Sequence, residues 1–252
     1  MNIAKKIRRK ILYISHKSKS SHIGSSLSIV DIIIVIYFKF MKKNNNTFIL
    51  SKGHACLAHY CLLNELNYFS KKKLESYGKN NSILMSHSSH KVPGVEISTG
   101  SLGHGLPIAS GIALSYKIKN LKKKKVFVLM SDGELNEGSN WESLLFVAHK
   151  NLNNLIIIID YNKIQSLDFV NKTIKLEPLK KKFEAFGFSV IKIDGHNYEQ
   201  IYKAFIKKTN RPKVIIANTI KGKGVSFMEN KVLWHYKSPN DNELKKGIDQ
   251  LS

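Results

Sequence analysis

The chain has 252 residues, 42 % of them apolar, and a formal net charge of +23, which is enough for one large domain, expected over 1–252, with a sizeable core. That charge invites a nucleic-acid reading, but the only arginines are Arg8, Arg9 and Arg211, whereas phosphate and base recognition leans on the guanidinium fork. Its lysine runs read as solvated helix ends and loops, and nucleic acid is not expected as a partner. The longest uninterrupted apolar run, Ile32 to Phe38, is far short of the roughly 20 residues that span a bilayer, so no membrane is expected either. Cys56 and Cys61 are too few for a disulfide framework, which fits a reducing, cytoplasmic setting.

In chain order, Ile3, Ile7, Ile11, Leu12 and Ile14 predict an amphipathic first helix rather than a targeting leader. Ser28 to Phe40 reads as a second helix, with Ser28 as N-cap and Asp31 at N3. A short strand from Thr47 to Ser51 then delivers Ser51-Lys-Gly-His54, followed by a helix-rich and loop-rich stretch to His90. Pro93 to Gly105 is glycine-dense, and a small-residue helix runs on from Ile108. Strands are expected at Val126–Met130, Leu155–Ile159, Ser189–Ile193 and Lys213–Ala217. Helices are expected at Ser139–Lys150, Leu179–Phe186 and Tyr198–Thr209. This alternation predicts an α/β fold with a mainly parallel sheet flanked by helices.

Two of those strands end in the most informative residues. Asp132 and Asn162 each stand just beyond an apolar run, where open α/β sheets place their ligands. A carboxylate and an amide oxygen at that edge can hold a hard cation, and Mg2+ bound through one or two protein groups commonly holds a diphosphate in turn. Nucleotide motifs fail: Gly222-Lys-Gly224-Val-Ser226 lacks the Walker spacing, and Gly103-His-Gly105 has Ile108 where a dinucleotide fingerprint needs a small residue. His22, His54 and His87 lie in glycine- or serine-rich contexts, and His235 lies between aromatics. A lone histidine often only satisfies a local hydrogen bond, but four in loop-like settings are harder to read as structural. His16, His59, His90, His149 and His196 lack such support and read as structural.

Ser131-Asp132-Gly133-Glu134-Leu-Asn-Glu137-Gly138, Trp141-Glu142 and Asn154 through Asn162 resemble the thiamine-diphosphate motif of the transketolases. The blocks Pro93 to Gly105 and Ala217 to Glu229 are similar to further transketolase segments in the same order, so the resemblance covers nearly the whole chain. It implies a thiamine diphosphate- and Mg2+-dependent transferase that moves a two-carbon ketol unit between sugar phosphates in the pentose phosphate pathway. The resemblance extends to the diphosphate-binding domain only. It therefore implies the N-terminal subunit of a split transketolase, with the pyrimidine-binding and C-terminal domains on a separate C-terminal subunit. Self-association alongside that partner would give a heterotetramer, and the chain alone is expected to be inactive.

Carried over residue by residue, the resemblance implies that Asp132, Asn162 and the Ile164 carbonyl ligate Mg2+. Gly133, Asn162, His54 and His235 would hold the diphosphate, while Gly100, Ser101 and Leu102 border the aminopyrimidine. His22 and His235 would act as acid/base groups, and His87 would orient the donor hydroxyl. Glu137 matches a family glutamate that links two active sites, or complements the dipole of a following helix. Three departures are visible: Ser131 replaces a glycine, Ile23 stands where many relatives have proline, and His104 where many have glutamine. Other readings are a different sugar-phosphate thiamine enzyme, such as deoxyxylulose-phosphate synthase, and a decayed, non-catalytic basic binding protein.

Overall fold

The computed structural model describes residues 3–41 and 45–252. Before the sheet begins, the chain forms α1 (Ile3–Ser18), α2 (Ile23–Ser28) and α3 (Val30–Ile36), the last running into a π-helical turn at Tyr37–Met41. Strand β1 (Thr47–Leu50) follows, then α4 (Cys56–Glu65), α5 (Lys71–Leu74) and α6 (Gly105–Ile118). Next come β2 (Val126–Ser131), α7 (Gly138–His149), β3 (Leu155–Tyr161), α8 (Val170–Thr173) and α9 (Leu179–Ala185). The chain closes with β4 (Ser189–Asp194), α10 (Tyr198–Ile206), β5 (Lys213–Asn218) and α11 (Asp241–Gln250).

All five strands pair in parallel in the order β1-β2-β3-β5-β4. Because side chains alternate across a strand, the apolar runs of β2, β3 and β5 feed two separate cores. Phe127, Leu129, Ile156, Ile158 and Ile215 face one core with α1 to α4 and α10, where Ile201 and Phe205 contribute. Val128, Met130, Ile157, Ile159 and Ile216 face the other, against Leu106 and Ala109 of α6, Leu144 and Val147 of α7, and Phe183 of α9. Burial on both faces explains why these strands read as unbroken Val, Ile and Leu runs rather than an alternating pattern.

The expected strands and helices form, most of them within a few residues of their expected bounds. Ser28 is a correction. It does not cap a helix: the helical run begins earlier, at Ile23, and the Ser28 hydroxyl lies 2.7 Å from Asp160 Oδ2. Asp31 likewise makes no capping box but is drawn into a buried cluster. The Arg8 guanidinium straddles its carboxylate at 2.6 and 3.3 Å, His196 Nδ1 lies 2.8 Å away, and the Tyr198 hydroxyl donates at 3.1 Å. Tertiary partners have overridden local capping in both cases, because a buried charge needs a partner more than a helix end needs a cap. Helix α11 lies outside the expected elements; its sequence signal is the Asn240–Glu243 capping box, which the structure shows fully formed.

Burial by itself raises the Asp31 pKa, but the His196 hydrogen bond and the Arg8 charge outweigh it and hold the carboxyl below its usual range. Its stabilising effect is therefore present above the unfolded-state value, roughly pH 4, and is lost as pH falls through the lower folded-state value. Asp31→Asn should destabilise the chain by about 3 kcal/mol at pH 7, since Arg8 is left buried without its counter-charge. Urea unfolding at pH 7 and at pH 3 checks the sign: the gap to the parent protein should shrink at the lower pH.

Candidate active site

Leu50, Leu129, Ile158 and Ile215 lie in one row across the sheet, so the segments leaving β1, β2, β3 and β5 emerge side by side at the carboxyl edge. There they enclose a cavity of about 240 Å3 lined by His22, Lys52, His54, His87, Gly100, Leu102, Asp132, Gly133, Asn162, Ile164, Gln165 and His235, among others. Of the residues expected at a site, only Ser101 and Glu137 are not among the lining residues. Ser101 is exposed between two that are, and Glu137 is exposed at the N-cap position of α7. A larger hollow, about 520 Å3, opens near Tyr116, Lys125 and Asn154, at the amino edge of the sheet, and holds none of these residues.

Four histidines from distant parts of the chain converge. His22 is central, with ring centroids of His235, His54 and His87 at 5.0, 5.3 and 5.9 Å. It sits at φ 68°, just ahead of α2, and its N–H donates to the His235 carbonyl at 2.6 Å, so the two histidine loops are tied through backbone. Burial and the neighbouring His87 push the His22 pKa down to about 4. Burial and the charge of Lys221 push His235 to about 3, and burial followed by Lys52 holds His54 well below the usual imidazole range. These three rings are consequently neutral near pH 7, each with an unprotonated ring nitrogen. The histidines read as structural find other partners: His59 with Tyr37, His16 with the Pro239 carbonyl and His90 with Ser98.

The cradle between the histidines depends on two glycines. A Cβ on Gly53 would lie 2.3 Å from the Thr99 carbonyl oxygen, and one on Gly105 would lie 2.1 Å from Ser51 Oγ. The glycine-dense 93–105 segment thus packs closely against the turn that presents His54. Ser131, where a glycine was expected, is the last residue of β2 and has no left-handed backbone, so the replacement is unstrained.

Asp132 is buried, its Oδ1 accepting from the Gly133 N–H at 2.7 Å and its Oδ2 from the Lys163 N–H at 2.6 Å. Burial and the charge of Asp160 raise its pKa to about 7. Asn162 donates its amide to Asp160 Oδ2 at 3.0 Å, which fixes the amide plane, and its Oδ1 accepts from the Ile164 N–H at 3.1 Å. Among the described residues, no three His, Cys, Asp or Glu side chains come together as a metal cage. A cation here would take carboxylate, amide, carbonyl and ligand oxygens, the set expected of Mg2+ beside a phosphate.

The structure adds residues that the sequence reading passed over. Lys52 and Asp160 form a fully buried ion pair at the cavity floor, and Asp160 also receives the hydroxyls of Ser28 and Thr219. The Lys52 charge and hydrogen bond outweigh the burial of Asp160 and keep that carboxyl below the usual range. Lys221 donates to the carbonyls of Ile164 and Gln165 at 3.1 and 3.3 Å and meets His235 Nδ1 at 2.8 Å. Burial and the repulsion of Lys52 bring its pKa to about 7. Glu134, also buried, takes hydrogen bonds from Ser51, Gly103 and Ser131 and so ties three walls together.

Two features test whether these residues suit a diphosphate-bearing cofactor. Gln165 Nε2 is a buried donor with no hydrogen-bond partner, in the same cavity as Asp132 and Gly133. A buried donor of this kind calls for an acceptor. A Cβ on Gly133 would lie 3.0 Å from Gln165 Cγ, so glycine lets Gln165 sit close beside it, while the Gly133 N–H is held by Asp132 Oδ1 at 2.7 Å. Lys52 and the histidines that line the cavity, with Lys221 behind its wall, offer donors and positive charge to an anionic group, and Asp132 with Asn162 would offer oxygens to a metal beside it.

A parallel α/β sheet with this donor-lined pocket at its carboxyl edge is a cofactor-binding architecture. Residues 1–251 match the transketolase thiamine diphosphate-binding domain, and the chain belongs to that family. It is 41 % identical to one subunit of the apulose-4-phosphate transketolase of Actinobacillus succinogenes, with 98 % of this chain and 94 % of that protein covered. It is 35 % identical to a 6-deoxy-6-sulfo-D-fructose transketolase subunit of a Clostridium species, covering 91 % and 88 %. Among solved structures, the transketolase of Campylobacter jejuni superposes with a TM-score of 0.90 at 31 % identity. This chain is fully covered in that comparison but spans only 43 % of the Campylobacter chain.

Lys221→Met removes the charge that helps depress the His235 imidazole. The His235 titration should then move upward yet stay below the usual histidine value, because burial remains the larger cause. Following the ring protons by NMR between pH 3 and 8 measures it, and an unmoved titration would show that Lys221 does not act on His235.

Proposed function

We propose that this chain is the diphosphate-binding subunit of a split transketolase, transferring a two-carbon ketol unit from a ketose phosphate to an aldose phosphate with thiamine diphosphate and Mg2+. The observation that carries the reading is the convergence of His22, His54, His87 and His235 with Asp132, Gly133 and Asn162 in one cavity. Asp132, Asn162 and the Ile164 carbonyl would hold Mg2+. The Gly133 N–H, His54, His235 and Asn162 would hold the diphosphate, with Lys221 and the unpartnered Gln165 Nε2 as donors that the geometry adds. Gly100, Ser101 and Leu102 would border the aminopyrimidine.

The bound thiazolium supplies the electron sink that cleaving a ketose beside its carbonyl requires. The protein's part is positioning and proton transfer. The rings of His22 and His235 are neutral near pH 7, so each has a free nitrogen to receive the donor's hydroxyl proton, and an anionic ligand in the cavity would raise their basicity toward the working pH. The proton so gained can later be returned to the acceptor's aldehyde oxygen. His87, its ring centroid 5.9 Å from that of His22, would orient the donor hydroxyl.

The second wall would come from a C-terminal subunit carrying the pyrimidine-binding domain. Two features support this: relatives of nearly the same length are themselves named as transketolase subunits, and apolar Met85, Leu167, Leu233 and Tyr236 are exposed beside His87, Gln165 and His235. Exposed apolar groups flanking a polar pocket mark a surface that a partner covers. Association of two such pairs would make the heterotetramer. Relatives are named for apulose 4-phosphate and for 6-deoxy-6-sulfo-D-fructose, sugars that end in an anionic group, and a phosphorylated ketose is the donor proposed here. A cytoplasmic setting agrees with two buried free cysteines, and among the described residues no helix is long and apolar enough to cross a membrane.

Co-expression with the partner subunit should give Mg2+-dependent two-carbon transfer from xylulose 5-phosphate, and this chain alone should give none. Asp132→Ala should abolish that transfer, at least about a thousandfold, since the metal's only carboxylate is removed. A coupled assay of aldose-phosphate release measures both, and full activity from Asp132→Ala would rule out the metal assignment.

A further inference from the structure

The segment leaving β5 has no regular structure, yet it carries Lys221, fully buried, to the back of Ile164, Gln165 and His235, three residues that line the cavity. Several contacts hold it, among them the Asn230 N–H, which donates to the Lys221 carbonyl at 2.9 Å, and the Thr219 N–H, which donates to the Tyr161 carbonyl at 3.3 Å. The Thr219 hydroxyl donates to Asp160 Oδ1, the Ile220 N–H donates to His196 Nε2 at 2.9 Å, and the Gly222 N–H donates to the Gly24 carbonyl at 3.0 Å. The Ile220 contact, unlike that of the Thr219 hydroxyl, fixes the backbone itself, at the residue just before Lys221, and its acceptor is a side chain held from behind. His196, on the turn between β4 and α10, has Nδ1 2.8 Å from Asp31 Oδ2, and Asp31 is held in turn by Arg8 and Tyr198.

The chemistry of the two ring nitrogens fixes the protonation state. A backbone amide can only donate, so Nε2 must present its lone pair to Ile220, and the ring proton must sit on Nδ1, donated to Asp31. The imidazole is neutral and in one tautomer. One of its edges is fixed to a buried carboxylate and the other receives a loop amide one residue before Lys221. A ligating histidine is oriented by the same arrangement when a carboxylate takes its second nitrogen. In this chain the oriented group is a peptide.

We propose that His196, backed by Asp31 and Arg8, is a positioning residue for Lys221: by accepting from the Ile220 amide it sets the path of the loop and so the placement of the Lys221 ammonium against Ile164, Gln165 and His235 in the wall of the cofactor cavity. His196 touches neither the cavity nor its contents; it acts through the peptide. The consequence for cofactor affinity rests on the function proposed above, whereas the hold on the loop does not.

Two amide side chains separate the edges of the ring. In His196→Asn, Nδ2 stands in for Nδ1 and can still donate to Asp31, but nothing accepts from Ile220. In His196→Gln, Oε1 stands in for Nε2 and can accept from Ile220, but the Asp31 contact is lost. On the full chain without ligand, amide hydrogen exchange at Ile220 should be about tenfold faster in His196→Asn and near the parent rate in His196→Gln. With Mg2+ and the partner subunit present, thiamine diphosphate binding measured calorimetrically should weaken about tenfold in His196→Asn and little in His196→Gln. Melting temperature should fall in both variants, most where the Asp31 contact goes. A purely structural histidine would instead make affinity follow melting temperature. Unchanged Ile220 exchange in His196→Asn overturns the hold on the loop. Faster exchange with undiminished cofactor affinity overturns the positioning of Lys221. If the parent complex binds no thiamine diphosphate, the functional reading fails with its affinity arm, while the exchange measurement still decides whether His196 holds the loop.

Discussion

A single buried carboxylate organises the carboxyl edge of this sheet. Asp160, at the end of β3, has no exposure to solvent and cannot remain charged there without compensation. It is compensated by Lys52 from the turn after β1, by the hydroxyls of Ser28 in α2 and Thr219 after β5, and by the amide of Asn162. Each partner belongs to a different segment, so satisfying one charge forces four stretches of chain into a common geometry. Losing any one partner would leave the charge underpaired, a cost that ordinary packing contacts do not impose. The precision of the cavity follows from this, because Asn162 and Lys52 both line it.

The same cavity separates local from global electrostatics. Most of the +23 charge sits on scattered lysines, and it says little about the site. What matters there are two buried lysines and three histidines whose rings burial keeps neutral. A set of donors surrounding the buried carboxylates Asp132 and Asp160 suits the anionic, metal-bearing ligand proposed above. Desolvation is what makes each of these charges count, since water would screen them at the surface.

Much of the site was legible because its residues stand at positions that sequence rules single out. Asp132 and Asn162 end apolar strands, and His22, His54, His87 and His235 occupy loop-like contexts; all six line the cavity. Lys52, Lys221, Asp160, Glu134 and Gln165 were not singled out. In a chain with this many lysines, two functional ones look like the solvated remainder, and Asp160 looks like an ordinary strand end. A signal existed: Lys52 and Lys221 each follow closely on a strand whose neighbours deliver site residues. His196 reads as structural, and its contacts with Asp31 and Ile220 depend on pairings across 165 and 24 residues that no local pattern encodes.

By itself, the sequence determined the parallel α/β class, the order of most elements and the chemical types gathered at the strand ends. Unbroken apolar runs need burial on both faces and thereby dictate a covered parallel sheet. Only the tertiary structure decided how buried charges pair, and with that the corrected roles of Ser28 and Asp31, the placement of Lys221 and the neutral state of His22 and His235. The reason is physical: periodicity reports which side of an element is dry, whereas pairing and pKa depend on distances between segments far apart in the chain.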